Sequence, residues 1–152
     1  MGDVEKKLNA MGYQVPALGG KGGNYVFHHL VGNVLYLSGN IGRIDGKLKY
    51  TGLLGNDVTV EQGYEMARCC ALNHLAMIKA AVADLDRIEQ LIRMTGWVAS
   101  APGFVDQPKV VNGASDLFLA VFGERGKHTR LALGSNSLPR NAAVELEVLV
   151  EV

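Results

Sequence analysis

Residues 142–152, AAVELEVLVEV, constrain the fold of this chain more than any other stretch. Val144, Leu146, Val148 and Val150 alternate with positions that include Glu145, Glu147 and Glu151. A period of two sends the apolar set to one side and the carboxylates to the other, so the segment reads as a strand with one buried face. A sheet with one apolar face needs a layer packed against it, and the chain supplies amphipathic helices for that role.

Thr59-Val60-Glu61-Gln62 is a capping box, with Thr at the N-cap and Gln three residues later. It opens a helix to about Ala83, on which Tyr64, Ala67, Ala71, Leu75, Ile78 and Val82 form one stripe. Asp106-Gln107-Pro108 opens a second helix, with Asp as N-cap and Pro in the first turn, and with Val111, Ala114, Leu117, Phe118 and Val121 as its stripe. A short helix over residues 3–11 carries Val4, Leu8 and Met11, with Gly12 at its end. Strands are expected at Tyr25–His29 and Asn33–Ser38, joined by a turn at Leu30-Val31-Gly32, then at Ile88–Ala99, His128–Leu133 and Ala142–Val152. Asp45-Gly46 adds a further hairpin signal. The order ββ(β)αβαββ predicts one α+β domain over 1–152, with a helical extension at 1–20 and both main helices on one face of a mixed sheet. The other face then calls for a second copy of the chain as its cover.

The 152 residues include fifteen basic and fifteen acidic side chains, so the net charge is 0. That balance argues against a general nucleic-acid surface. No apolar run is long enough for a membrane span, and residues 1–16 lack a signal-peptide pattern, so no membrane partner and a cytoplasmic location are expected. Cys69 and Cys70 are neighbours in a helix, point about 100° apart and read as buried small hydrophobes.

Arg130 is the candidate for chemistry. Within its strand Leu131 and Leu133 share one face, and His128, Arg130 and Ala132 the other. Arg130 and the carboxylates of the last strand are expected to face the same way. Such a pattern reads as a solvated face with a surface ion pair, or as a planar fork for a substrate carboxylate with a glutamate to move a proton. His28 and His29 point to opposite sides of a strand, and no histidine pair has a metal spacing, so no metal is expected. Ser38-Gly39 lacks the surroundings of a nucleophile elbow. Gly19-Gly20-Lys21-Gly22-Gly23 precedes a strand, not a helix, and reads as a connection rather than a phosphate loop.

Tyr25, Gly32-Asn33, Ser38-Gly39, Asn112, Arg130, Leu138-Pro139 and Glu145 follow the order and spacing of the RidA/YjgF family of enamine/imine deaminases. NYVFHHLVGNVLYLSGNIG resembles that family's first hairpin, and TRLALGSNSLPRNAAVELEVLV its C-terminal signature. The resemblance spans about 24–152 and implies a chorismate-mutase-like ββαβαββ fold and a homotrimer with ligand clefts between subunits. It implies hydrolysis of enamine and imine acids to 2-keto acids and ammonia, without cofactor or metal. Arg130 would bind the substrate carboxylate, Glu145 would orient or activate water, and Tyr25, Ser38, Gly39 and Asn112 would line the cleft. A non-catalytic module that binds small carboxylates is the alternative, and RNA cleavage, attributed to some relatives, a third. The chain departs from the pattern at Ala132, where a Cys is common, at Gly134–Ser137, at Gly39-Asn40 and in a longer segment 43–57.

Overall fold

The computed structural model describes residues 1–152. The chain runs α1 (Asp3–Ala10), β1 (His28–Val31), β2 (Val34–Leu37), α2 (Val60–Val82), β3 (Gln90–Ala99), α3 (Gln107–Phe122), β4 (Thr129–Ser135) and β5 (Val144–Glu151). One sheet has the order β1-β2-β5-β3-β4, parallel between β3 and β4 and antiparallel elsewhere. From the first hairpin onward this is the expected ββαβαββ order.

The C-terminal alternation translates directly. Val144, Leu146, Val148 and Val150 are fully buried in the centre of the sheet, beneath the helices. The glutamates between them lie on the opposite face. The capping box of α2 forms in both directions: Gln62 N–H donates to Thr59 Oγ1 at 3.2 Å, and Thr59 N–H to Gln62 Oε1 at 3.0 Å. Both helical stripes are buried apart from Tyr64, whose hydroxyl reaches Asp116 at 2.7 Å. The helices lie almost in contact, because a Cβ added to Gly113 would fall 1.9 Å from the Tyr64 carbonyl oxygen.

Several boundaries move. Leu30 and Val31 belong to β1 and pair with Leu35 and Val34, so the turn is Gly32-Asn33, with Gly32 at φ 62°. Tyr25 to Phe27 precede the strand. Asp45-Gly46 turns with positive φ at both residues, but only the Ile44–Lys47 bridge extends it. Met11 caps α1 instead of packing, at 41% exposure, while Val4 and Leu8 are buried. The start of α1 is held by the Asp86 carboxylate, which accepts the N–H groups of Asp3 and Val4 at 2.7 and 2.8 Å. Asp106 stands at the N-cap of α3 without a cap hydrogen bond and pairs with Lys109.

His74 is fully buried in the middle of α2. Its Nδ1 lies 2.9 Å from the Cys70 carbonyl and its Nε2 3.2 Å from the Ser38 carbonyl. A neutral ring can donate to only one of them. Both would be satisfied by imidazolium, but burial disfavours the charge and lowers the pKa to about 4.

Two outcomes follow from this packing. Gly113→Ala gains about 1 kcal/mol of helix propensity but drives a methyl into the backbone of α2, so urea unfolding registers a net loss of about 2 kcal/mol or more. Between pH 6.5 and about 4 the unfolded chain takes up a proton that His74 refuses in the fold, so stability falls with pH across that window. The loss is on the order of 3 kcal/mol. Comparing unfolding at pH 7 and pH 4 in wild type and His74→Gln isolates it, since the variant lacks that component of the slope.

Candidate functional site

Arg130 does not face the carboxylates of β5. Met94 pairs with Arg130 on one side and with Val148 on the other, so Arg130 shares the helix-covered face with Val148 and Leu146. Glu145 lies opposite Trp97, which pairs with Leu133, and Glu147 opposite Thr95, which pairs with Leu131. The expected shared face is therefore wrong. In β4 the two leucines are 42% and 43% exposed on the open face, and the side carrying His128, Arg130 and Ala132 turns toward α3. Assigning the apolar face to the core works at the sheet centre and fails at this edge strand, where α3 offers hydrogen-bonding groups.

Those groups hold the arginine. Arg130 Nη1 donates to Asn112 Oδ1 at 2.7 Å and to Ser115 Oγ at 3.1 Å, and Nη2 to the Pro108 carbonyl at 3.4 Å. Asn112 and Ser115 are three residues apart on α3 and so present side by side. Ser115 Oγ is also 3.0 Å from His128 Nε2, while His128 Nδ1 is 2.7 Å from the Gly126 carbonyl. A carbonyl only accepts, so in the neutral ring Nδ1 carries the proton and Nε2 accepts from the serine hydroxyl. The chain of donors then runs in one direction, from Arg130 through Ser115 and His128 to Gly126. Every partner is neutral, and none of the protein's ion pairs includes Arg130. Its charge is fixed in position and uncompensated. Ser115 and His128 were not singled out from sequence as partners of Arg130. The i,i+3 spacing of Ser115 from Asn112, and His128 two residues before Arg130, were the available signals.

A second group of expected residues meets elsewhere. Tyr25, Ser38, Gly39, Arg43, Arg140 and Glu145 line a cleft of about 420 Å³. It forms where β2 leaves the sheet and Asn40 pairs with Leu146. Ser38 Oγ donates to the Val26 carbonyl at 2.6 Å, and the Tyr25 hydroxyl accepts the Gly22 N–H at 3.2 Å. Glu145 is half-buried, and burial pushes its carboxyl above the ordinary value of 4.5. It packs so closely on Gly39 that a Cβ there would lie 2.5 Å from Glu145 Oε1. Arg140 on the cleft wall and its neighbour Asn141 are in the left-handed region, at φ 57° and 58°, a conformation that costs non-glycine residues on the order of 1 kcal/mol each.

One chain therefore brings Arg130 together with Asn112, and Glu145 together with Tyr25, Ser38 and Gly39, but it does not bring the two groups together. No cluster of His, Cys, Asp and Glu suits a metal ion, and no helix is long and apolar enough to cross a membrane. Cys69 and Cys70 are buried free thiols, and burial pushes both up in pKa.

The family described as "YjgF/chorismate mutase-like, putative endoribonuclease" matches residues 5–152. Protein TCP17 of Trypanosoma cruzi is 41% identical over 152 residues, covering 99% of this chain and 95% of its own length. The crystal structure of Atu1372 from Agrobacterium tumefaciens, a protein of unknown function, is 44% identical with a TM-score of 0.92, over 99% of this chain and 92% of that one. A Shewanella oneidensis structure, described as a "putative endoribonuclease", is 36% identical with a TM-score of 0.96, over 99% and 100% of the two chains. With the fold, the spacing of the signature residues and the family match in agreement, this chain belongs to the YjgF/chorismate mutase-like family, the one its sequence resembles.

Proposed function

We propose that this protein hydrolyses small 2-imino acids to 2-keto acids and ammonia, in a site assembled from two copies of the chain. The observation that carries the reading is Arg130, a rigidly held guanidinium whose partners are all uncharged. Such a group has a full positive charge and free N–H donors for a substrate carboxylate.

The imine carbon is already electrophilic, so the site has only to fix the carboxylate and deliver water. Glu145 is suited to the second task. Half-buried beside Gly39, it has a raised proton affinity that favours accepting a proton from water as the oxygen bonds to carbon. The C=N electron pair moves to nitrogen, which takes the proton Glu145 received, and a second transfer from the carbinolamine hydroxyl to the amine breaks the C–N bond, releasing ammonia and the ketone. Because Arg130 and Glu145 occupy opposite faces of one sheet, the two act on one substrate only when Arg130 of one protomer meets the Glu145 cleft of another. The open sheet face, with Tyr36, Leu131 and Leu133 each at least 42% exposed, is the apolar surface such an assembly would cover. The trimer implied by the resemblance is the assembly we infer.

Assays follow ammonia and keto-acid release from an imine generated in situ. Arg130→Ala lowers kcat/KM by about 100-fold, the loss of one charge-assisted pair, and Arg130→Lys recovers only part of it because the planar fork is gone. Equal rates for wild type and Arg130→Ala would remove Arg130 from the mechanism. No acceleration over buffer, combined with saturable keto-acid binding in calorimetry, would make the protein a carboxylate-binding module instead. The catalysed rate rises with pH through a titration above 4.5, as the raised carboxyl of Glu145 ionises. Glu145→Gln removes that limb.

A further inference from the structure

Beside the Glu145 cleft, residues 12–20 fold back over α2 and line an open-mouthed cavity of about 660 Å³. That is the size of a small-molecule site. Part of its wall is apolar and anchored, since Tyr13, Val15, Phe27 and Leu72 pack on the hydrophobic core. Two arginines line it, Arg43 and Arg68. Both residues are partly buried, and neither side chain makes an ion pair within the chain. Arg68 lies over the Tyr13 ring, 5.0 Å from its centroid. A guanidinium stacked on a ring keeps its edge N–H donors available, and those donors match the oxygens of a carboxylate or phosphate.

The acidic groups of the cavity do not neutralise this pair. Glu65 is taken by Lys49 at 2.8 Å, and Asp45 is exposed on its two-residue turn. The Cys69 thiol is kept neutral by burial and serves as wall, not as nucleophile. The cavity shares Phe27, Asn40 and Arg43 with the Glu145 cleft but includes neither Arg130 nor Glu145.

We infer that this cavity is a second ligand site, built by the N-terminal extension, for a small organic anion whose charged head meets Arg68 and Arg43 and whose apolar body lies against Val15 and Leu72. It is independent of the deaminase reading.

The test uses phenyl phosphate as probe, with inorganic phosphate as the head alone and benzyl alcohol as the body alone. Calorimetry on the full chain is expected to show saturable binding of phenyl phosphate, at least tenfold tighter than either fragment. Arg68→Gln, with its fold checked by circular dichroism, is expected to weaken that binding at least tenfold, and Arg130→Ala to leave it unchanged. Amide chemical-shift changes in wild type are expected at Tyr13 and Leu72. Binding that survives Arg68→Gln, that is lost in Arg130→Ala, or that shifts amides around Asn112 instead would overturn the proposal, as would the absence of binding.

Discussion

The closeness of α2 and α3 is the constraint on which the other features depend. With only a hydrogen at Gly113, the second helix lies directly against the Tyr64 backbone, and the pair can cover one face of the sheet side by side. This packing brings Asn112 and Ser115 over the edge strand, where they hold Arg130. A wider helix pair would shift α3 off that edge and leave the guanidinium without its neutral partners. The hydrophobic contacts of the core and the orientation of one polar side chain are thus consequences of the same missing methyl group.

The sheet's two faces do different work. The covered face is closed by helices and ends, at β4, in a polar strip. The open face carries glutamates along β5 and apolar residues along the outer strands. Arg130 lies on the covered face and Glu145 on the open one. On the open face Leu131 and Leu133 remain exposed although the core on the other face is complete.

Much of this was legible in the residues. The alternation of Val144 to Val150, the Thr59–Gln62 box and the stripe from Val111 to Val121 each encode a local geometry that tertiary packing respects. Of the residues the resemblance assigns to one cleft, Tyr25, Ser38, Gly39 and Glu145 lie side by side in the chain, whereas Asn112 and Arg130 lie elsewhere. The facing of Arg130 was not legible, because alternation gives two sides within a strand but not which side of the sheet each becomes. That depends on register with β3 and on what α3 sets above the edge. The role of Ser115 and His128 lay out of reach for the same reason. Each residue's own surroundings looked ordinary until helix and strand were placed together.

The fit between Gly39 and Glu145 has an evolutionary consequence. The space that the carboxylate occupies is the space a side chain at position 39 would need. A lineage that acquires even alanine at 39 must turn the carboxylate at 145 aside, and one that has lost the acid is released from that contact at 39. The two positions, far apart along the chain, should therefore drift together, so that among descendants a change at one marks a change in the chemistry available at the other.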